Sequence, residues 1–449
     1  MKQFLKNIHL SSNGRLIAKN IYWSLLSKVV NMVSALFVGI LVARYLGPEQ
    51  FGLMNYVVSY VSIFLILASF GFDNIEIREE ARTPEQKDKL IGTTFWLRIV
   101  LSCITMTLIV FTAIVTESDQ YTIAIIALYA LSVIFSAFDV IRNYFTSQVM
   151  NEYVAKVSIA RTVVACALKL VLVMLNASLT WFIAVLTFEA LLQAQGFYIA
   201  YSKTVGAVRQ WFFDKNVAVF MLKQSFPLLL SGAAAYIFLR IDQVMIGKMI
   251  SNASVGYFSV ATKIVEILLF VPTIIIQTIS PMLVKIKKKD EQQYKQRSQQ
   301  VLNVTVWASI ALSIITSLLA YYMIIEAFGP AYQLAVIPLQ ILSFKTIGTT
   351  LNVISGQFLI IDGLQKYFVI RSLSGCIACV VLNLLVIPTY GIVGVCVIAC
   401  ITQLIAGWFI HLFIPIYRPV FFMQCKSLLW GWKDVFRLKS IFINKNSLT

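Results

Sequence analysis

The feature that most constrains this chain is a series of long apolar runs that recur along nearly all of its length. Each run holds about 20 mostly apolar residues, the length that a helix needs to cross the hydrocarbon core of a bilayer. Only 13% of the 449 residues are charged, whereas soluble globular chains carry about 25%, so lipid must cover most of the outside. The runs predict twelve membrane-spanning helices, at 18–43, 51–72, 94–115, 121–142, 157–175, 179–201, 217–240, 255–283, 301–325, 335–358, 368–387 and 391–417.

Positive charge lies almost entirely on one side of these predicted helices. The loops and ends on that side hold 26 Lys and Arg residues, the opposite loops hold 3, and the remaining 8 lie inside the predicted spans. By the positive-inside rule, both ends of the chain are predicted to be cytoplasmic, in agreement with an even number of spans. Because the basic charge is spread over seven segments, no single face is predicted to bind nucleic acid.

Two similar turns, 204 residues apart, indicate a duplicated architecture. The first turn lies at 43–54 and starts the next helix at Gly52, and the second lies at 247–258 with Gly256 in the equivalent position. Six predicted spans fall in each half, as expected for parallel repeats in a transporter. We therefore predict an all-α membrane protein of about twelve transmembrane helices in two six-helix lobes. Its predicted parts are an N-terminal lobe at 1–201, a C-terminal lobe at 202–417 and a cytoplasmic tail at 418–449.

The tail combines apolar residues at helical spacing with basic residues between them. This pattern predicts an amphipathic helix on the anionic cytoplasmic leaflet, with anionic membrane lipids as partners. The alternative is a tail without fixed structure. The apolar positions are Phe421, Cys425, Leu428, Leu429, Trp432, Val435 and Phe436, and the basic ones are Lys426, Lys433 and Lys439.

Charged residues inside the predicted spans are mostly cationic. A charge at the bilayer centre costs about 2.5–3.5 kcal/mol on insertion scales, so it is expected to face a cavity or a partner. Oppositely charged residues three apart on one helix can pair, and these are Asp139 with Arg142 and Lys263 with Glu266. Cations near cytoplasmic span ends are expected to extend to the interface, and these are Arg98, Lys223 and Arg371.

Four further cations have no acid within reach on their own helix and lie on polar faces. They predict a solvated cationic cavity that binds an anion, with phosphate as the natural guest for Lys and Arg. The alternative is that these polar faces bond neighbouring helices. The predicted substrate-binding residues are Lys28, Arg161, Lys169 and Lys345, and the further candidates are Asn31, Lys263 and Asn352.

Acids inside the spans are the candidates for ion coupling. Glu189 has no basic residue three or four positions away on its own helix, and desolvation would favour proton exchange there. The other candidates are Glu266 and Asp139, and proton, sodium and no coupling ion all remain open. The seven cysteines and two histidines do not form a metal-binding pattern, so neither a metal nor a cofactor is predicted.

Three short segments of the chain form a recognisable set. They are Leu41-Val42-Ala43-Arg44-Tyr45-Leu46-Gly47-Pro48-Glu49-Gln50-Phe51-Gly52, Ile241-Asp242-Gln243-Val244-Met245-Ile246-Gly247 with Val255-Gly256-Tyr257, and Phe328-Gly329-Pro330-Ala331-Tyr332. These segments resemble the oligosaccharide flippases of the Wzx type, which belong to the MOP superfamily. The resemblance covers about residues 15 to 415 and marks the superfamily better than the substrate.

This resemblance implies two lobes around a central cleft that alternate between inward-open and outward-open states. The implied cargo is an undecaprenyl-pyrophosphate-linked oligosaccharide repeat unit, moved from the cytoplasmic to the periplasmic leaflet of a bacterial inner membrane. It would serve the synthesis of O-antigen in lipopolysaccharide, or of another surface polysaccharide. A polysaccharide polymerase and a chain-length regulator are the implied partners, and the chain itself is expected not to be an enzyme.

Two other functions are compatible with a membrane protein of this size. A cation-coupled multidrug exporter of the same superfamily would be expected to carry unpaired acids, whereas the unpaired set here is basic. A membrane-bound polysaccharide polymerase or glycosyltransferase would be expected to show a long external loop or a carboxylate pair at catalytic spacing. The sequence shows neither feature, so we favour the flippase.

Overall fold

The computed structural model describes residues 12–364 and 367–435, and every regular element in these residues is a helix. The helices up to Thr204 are α1 (Ser12–Ser69), α2 (Phe72–Arg82), α3 (Lys87–Thr116), α4 (Gln120–Ala130), α5 (Ser132–Phe135), α6 (Asp139–Ser147), α7 (Asn151–Met174) and α8 (Leu179–Thr204). The later helices are α9 (Lys215–Met249), α10 (Asn252–Leu268), α11 (Phe270–Lys289), α12 (Glu291–Phe328), α13 (Val336–Ser343), α14 (Lys345–Ile361), α15 (Phe368–Leu404), α16 (Ile410–Phe413), α17 (Arg418–Trp430) and α18 (Trp432–Val435).

Nine helical segments of the described chain are long and apolar enough to cross a membrane, and a helix broken near Ser231 makes a tenth. The two longest segments contain a glycine with positive φ, Gly47 at 68° and Gly391 at 54°. Glycine adopts this conformation without the strain that a Cβ would bring, and Pro48 adds a second break because it cannot donate a helical hydrogen bond. Counting each kinked segment as two crossings gives the twelve spans that the apolar runs predict.

Local side chains fix several helix starts between the spans. Asp119 accepts hydrogen bonds from the backbone N–H groups of Tyr121 and Thr122, at 3.2 and 3.0 Å, and so caps α4. A hydrogen bond from the Thr122 hydroxyl, together with these two backbone bonds, holds the pKa of the Asp119 carboxyl below its usual range. Asp290 caps α12 in the same way. Polar connections of this kind are where the sequence predicts the loops.

The chain divides into two compact units. The first unit comprises Met1–Leu46 and Tyr56–Tyr236, and the second comprises Gly47–Asn55 and Ile237–Thr449. The sequence placed the boundary between its lobes at residues 201 and 202, whereas α9 contributes its first part to one unit and its second part to the other. The division of the chain into 1–201, 202–417 and 418–449 stays a prediction about transport lobes.

The two glycines of the repeated turn pack against each other's segments within the second unit. A Cβ on Gly52 would lie 1.7 Å from the carbonyl oxygen of Asn252, and one on Gly256 would lie 2.2 Å from that of Pro48. Neither position therefore has room for a side chain. The close approach of the two backbones explains why both turns carry glycine at this point.

The tail helix α17 has one face against the second unit and one face left apolar. Gln424 donates hydrogen bonds to the carbonyl oxygens of Leu351 and Gly407, and Trp307 donates to that of Ser427. Val420, Gln424 and Ser427 are buried, so the face that contacts the bundle is more polar than predicted. Exposed apolar side chains on the other face are Phe422, Leu429 and Trp430. The part of the predicted tail helix after Val435 lies outside the described residues.

Candidate functional site

Lys169 and Glu189, two of the predicted site residues, form an ion pair between α7 and α8. Lys169 Nζ lies 2.5 Å from Glu189 Oε1, and both side chains are about four-fifths buried. The sequence analysis treated Lys169 as an unpaired cation and Glu189 as an unpaired acid, and that reading is wrong. Spacing along one helix cannot detect a partner on a neighbouring helix.

Arg161 and Asp139 belong to one chain of hydrogen bonds in the first unit. Arg161 Nη1 donates to Gln193 Oε1 at 2.6 Å, and Gln193 Nε2 donates to Asp139 Oδ1 at 3.2 Å. Asp139 also pairs with Arg142 at 3.2 Å, which confirms the pairing predicted from their spacing. Arg161 itself contacts a neutral amide, and its Nε atom is buried without a hydrogen-bond partner among the described residues.

Asn31 and Lys28 lie one helical turn apart on α1 but have different surroundings. Asn31 donates to the Ser158 hydroxyl at 2.8 Å and accepts from the Thr162 hydroxyl at 2.6 Å. These bonds fasten α1 to α7, as the packing alternative expects. Lys28 is exposed, and the described part of the chain offers it no ion pair.

A buried ionic centre around Arg98 was missed at the sequence level. Arg98 is 2% exposed, and its guanidinium contacts Glu76 at 2.8 and 2.9 Å and Asp73 at 2.7 Å. Asn143 donates to both carboxylates, so they are held by an amide as well as by the arginine. The expectation that Arg98 extends to the interface is wrong, because the acids lie on α2, which follows the second span and packs back on the bundle. The sequence did contain a signal for this centre, because the acids at 73, 76 and 80 follow an apolar run and lie on one face of a helix.

The second unit contains a buried acid that the sequence analysis did not select. Asp242 is 5% exposed and accepts hydrogen bonds from Asn383 Nδ2 at 2.8 Å and Cys379 Sγ at 3.1 Å. Both donors are neutral. Lys345, the predicted cation of this part of the second unit, forms no ion pair in the described residues. Lys345 itself is half-buried.

Asn352 holds a second buried arginine. Arg371 is 5% exposed and donates to both the backbone and side-chain oxygens of Asn352, to the Ser355 hydroxyl and to the Ala406 carbonyl. Arg371 was also expected to extend to the interface, and that expectation is wrong because backbone carbonyls satisfy it inside the unit. Ala406 lies in a π-helical segment, a local widening common at functional sites.

The other predicted residues of the second unit, Lys263 and Glu266, have different surroundings. Lys263 Nζ lies 4.4 Å from the centre of the Phe51 ring, a cation–π contact. Glu266 is exposed. The assignment of all ten residues to substrate binding or ion coupling stays a prediction.

Open cavities lie in both units, and one in each is formed by residues that the structure describes. In the second unit, a polar cavity of about 1280 Å³ lies between the start of α12 and the tail helices, and its lining includes Lys287, Tyr294, Asn303, Asp362 and Asp434. In the first unit, a groove of about 440 Å³ runs between α7 and α8. Arg161 is the predicted site residue that lines this groove.

Comparisons with known proteins agree with this fold. Residues 17–287 match the model of a family described as polysaccharide biosynthesis protein. The structure is similar to that of the lipid II flippase MurJ in an inward closed conformation, with a TM-score of 0.71, 13% identity and coverage of 94% of this chain and 97% of that one. It is also similar to an inward-facing multidrug resistance MATE family transporter of the MOP superfamily, with a TM-score of 0.63, 14% identity and coverage of 91% and 96%. No curated protein matches the sequence.

Proposed function

We propose that this chain, which belongs to the polysaccharide biosynthesis protein family, is a flippase for a polyprenyl-pyrophosphate-linked oligosaccharide. It would move the repeat unit from the cytoplasmic to the periplasmic leaflet by alternating access, with both of its ends in the cytoplasm of a bacterium. The observation that carries this proposal is the family match, which covers more than half of the chain. The twelve spans and the charge bias of the loops support it.

The segments that resemble Wzx-type flippases refine the proposal to O-antigen or another surface polysaccharide. Among them, the Gly47-Pro48 break and the Gly52 contact are the features with a structural explanation. They shape the backbone at a span end and do not select a sugar. The lipid-linked pyrophosphate is therefore the part of the cargo that residues of this chain can be matched to.

Lys28 and Lys345 are the residues we assign to the pyrophosphate. Neither lysine forms an ion pair in the part of the chain that the structure describes. Lys169 is a weaker candidate because Glu189 neutralises it. A charge-assisted hydrogen bond contributes about 1.5–3 kcal/mol, so each lysine would be worth roughly tenfold or more in affinity for the head group.

A cation-coupled exporter is the second candidate, and Asp242 is the observation that favours it. Asp242 is a buried carboxyl group whose hydrogen-bond donors among the described residues are a thiol and an amide, so a proton or a sodium ion is the partner that would complete the site. The same acid would equally serve ion coupling in a flippase. The identity of the cargo therefore distinguishes the flippase from the exporter, whereas ion coupling is compatible with both.

The test is glycan export in a deletion strain that carries variants of the two lysines. The Arg variants of Lys28 and Lys345 are expected to lower glycan export less than the Gln variants, and the Glu variants are expected to lower it most. The double Gln variant is expected to export less than either single Gln variant. Lys295→Gln is the control, because Lys295 is an exposed residue paired with Glu291 on α12. Normal export by the double Gln variant at wild-type protein level would refute the role of the lysines. Loss of the gene without accumulation of a lipid-linked glycan would refute the flippase.

A further inference from the structure

The groove between α7 and α8 has an apolar surface that is open on one side of the first unit. Small and branched residues line it, among them Val157, Ala160, Val164, Leu192, Ile199 and Ala200. Gly196 brings the two helices together, because a Cβ there would lie 2.6 Å from Val157. Val164 and Ile199 are 42% and 50% exposed, so the side chains along the groove face the surroundings of a membrane-spanning helix pair.

Three cations line the same groove at different heights, and its lining contains no acid. Lys203 lies in the last turn of α8, Lys156 in the second turn of α7, and Arg161 about 7.5 Å further along α7. Lys156 is partly neutralised by Glu152 at 2.8 Å. Among the described residues, the guanidinium of Arg161 contacts the neutral amide of Gln193 and meets no carboxylate, so it can still bind an anion.

We propose that this groove is a binding site for a resident anionic phospholipid. The lipid phosphate would lie between Lys203, Lys156 and Arg161, and one acyl chain would follow the apolar floor between α7 and α8. A soluble anion does not fit this surface, since most of the lining is apolar and an acyl chain gains from covering it. Charge complementarity selects an anionic head group over a zwitterionic one. This lipid would occupy the groove whichever cargo the chain transports.

Photo-crosslinking in lipid nanodiscs tests the site directly. The purified full-length chain is placed in phosphatidylethanolamine with a minority of phosphatidylglycerol, and a trace of either lipid carries a diazirine on one acyl chain. Peptides from 153–164 and 192–204 are then quantified. Phosphatidylglycerol is expected to label these peptides about fivefold more than phosphatidylethanolamine, since one cation near the membrane surface contributes about 1 kcal/mol.

Two variants separate the charge from the shape of the groove. Arg161→Gln is expected to lower the labelling by phosphatidylglycerol about fivefold, and Arg161→Lys to lower it less. Ala160→Phe fills the groove and is expected to remove the labelling by both lipids, whereas Val171→Phe, at an exposed position of α7 outside the groove, is expected to leave it unchanged. Each variant is used only if it elutes as a single species in size-exclusion chromatography. If Arg161→Gln fails this criterion, the test relies on Ala160→Phe.

Three results would overturn the proposal. They are equal labelling by the two lipids, labelling that persists at wild-type level in both Arg161→Gln and Ala160→Phe, and displacement of phosphatidylglycerol by an equimolar polyprenyl phosphate. The last result would assign the groove to the lipid part of a cargo. All three are binding measurements, so they stand apart from the export test of the flippase.

Discussion

Removing the guanidinium of Arg98 should destabilise the first unit far more than removing an exposed charge of the same network. The substitution Arg98→Met deletes three contacts of 2.7–2.9 Å and leaves Glu76, which is fully buried, without its cation. Breaking a buried ion pair from one side costs about 3–5 kcal/mol. At about 2–4 °C per kcal/mol for a unit of this size, the melting temperature should fall by roughly 6–20 °C.

A double-mutant cycle distinguishes an uncompensated charge from simple loss of packing. Glu76→Gln removes the buried negative charge with little change of shape, so Arg98→Met/Glu76→Gln should recover at least half of the loss in Arg98→Met. Arg142→Met is the control, because Arg142 is one-third exposed and pairs with Asp73 at 3.3 Å and Asp139 at 3.2 Å, both of which are partly exposed. Its expected cost is below about 1 kcal/mol.

The assay is thermal unfolding of the detergent-solubilised chain, followed by size-exclusion chromatography of a fluorescent fusion. Each variant is compared with the wild type at the same protein level. A melting temperature of Arg98→Met within about 2 °C of the wild type would refute the reasoning. An additive double variant would refute the charge account in particular.

Three further predictions follow from individual residues. Cysteines at Ser118 and Gln292, both exposed, should label oppositely with an impermeant reagent added to intact cells, and equal labelling would contradict the twelve-span topology. Glu189→Gln should lower the melting temperature more than Glu189→Gln/Lys169→Gln, because the single change leaves a lysine that is four-fifths buried without its acid; an equal or larger loss in the double variant would exclude this pairing effect. Asp119→Asn should destabilise the chain at neutral pH and progressively less as the pH falls through the lowered pKa of Asp119, where the cap loses its charge. A difference in melting temperature that is independent of pH would show that the charge of the cap is unimportant.

Several features were accessible from the sequence because they depend on residues close together in the chain. Apolar runs of bilayer length gave the spans, and the kinks at Gly47 and Gly391 fall where the sequence predicts turns. The pair Asp139–Arg142 was predictable since residues three apart share a helix face. The sequence shows Gly52 and Gly256 as a repeated pattern. It does not show the backbone carbonyl groups that leave no room for a side chain at these positions.

By itself, the sequence determined that this protein is a helical bundle in a membrane, with twelve spans and basic loops on one side. Hydropathy and helix length suffice for that, because lipid forces every spanning backbone into a hydrogen-bonded helix. Only the tertiary structure decided which intramembrane charges are neutralised. Lys169 finds its acid on another helix and Arg98 finds two on α2, whereas Lys28 remains exposed. Such pairs join residues that are distant in the chain, and the depth of a residue along its own span carries no information about the neighbouring helix.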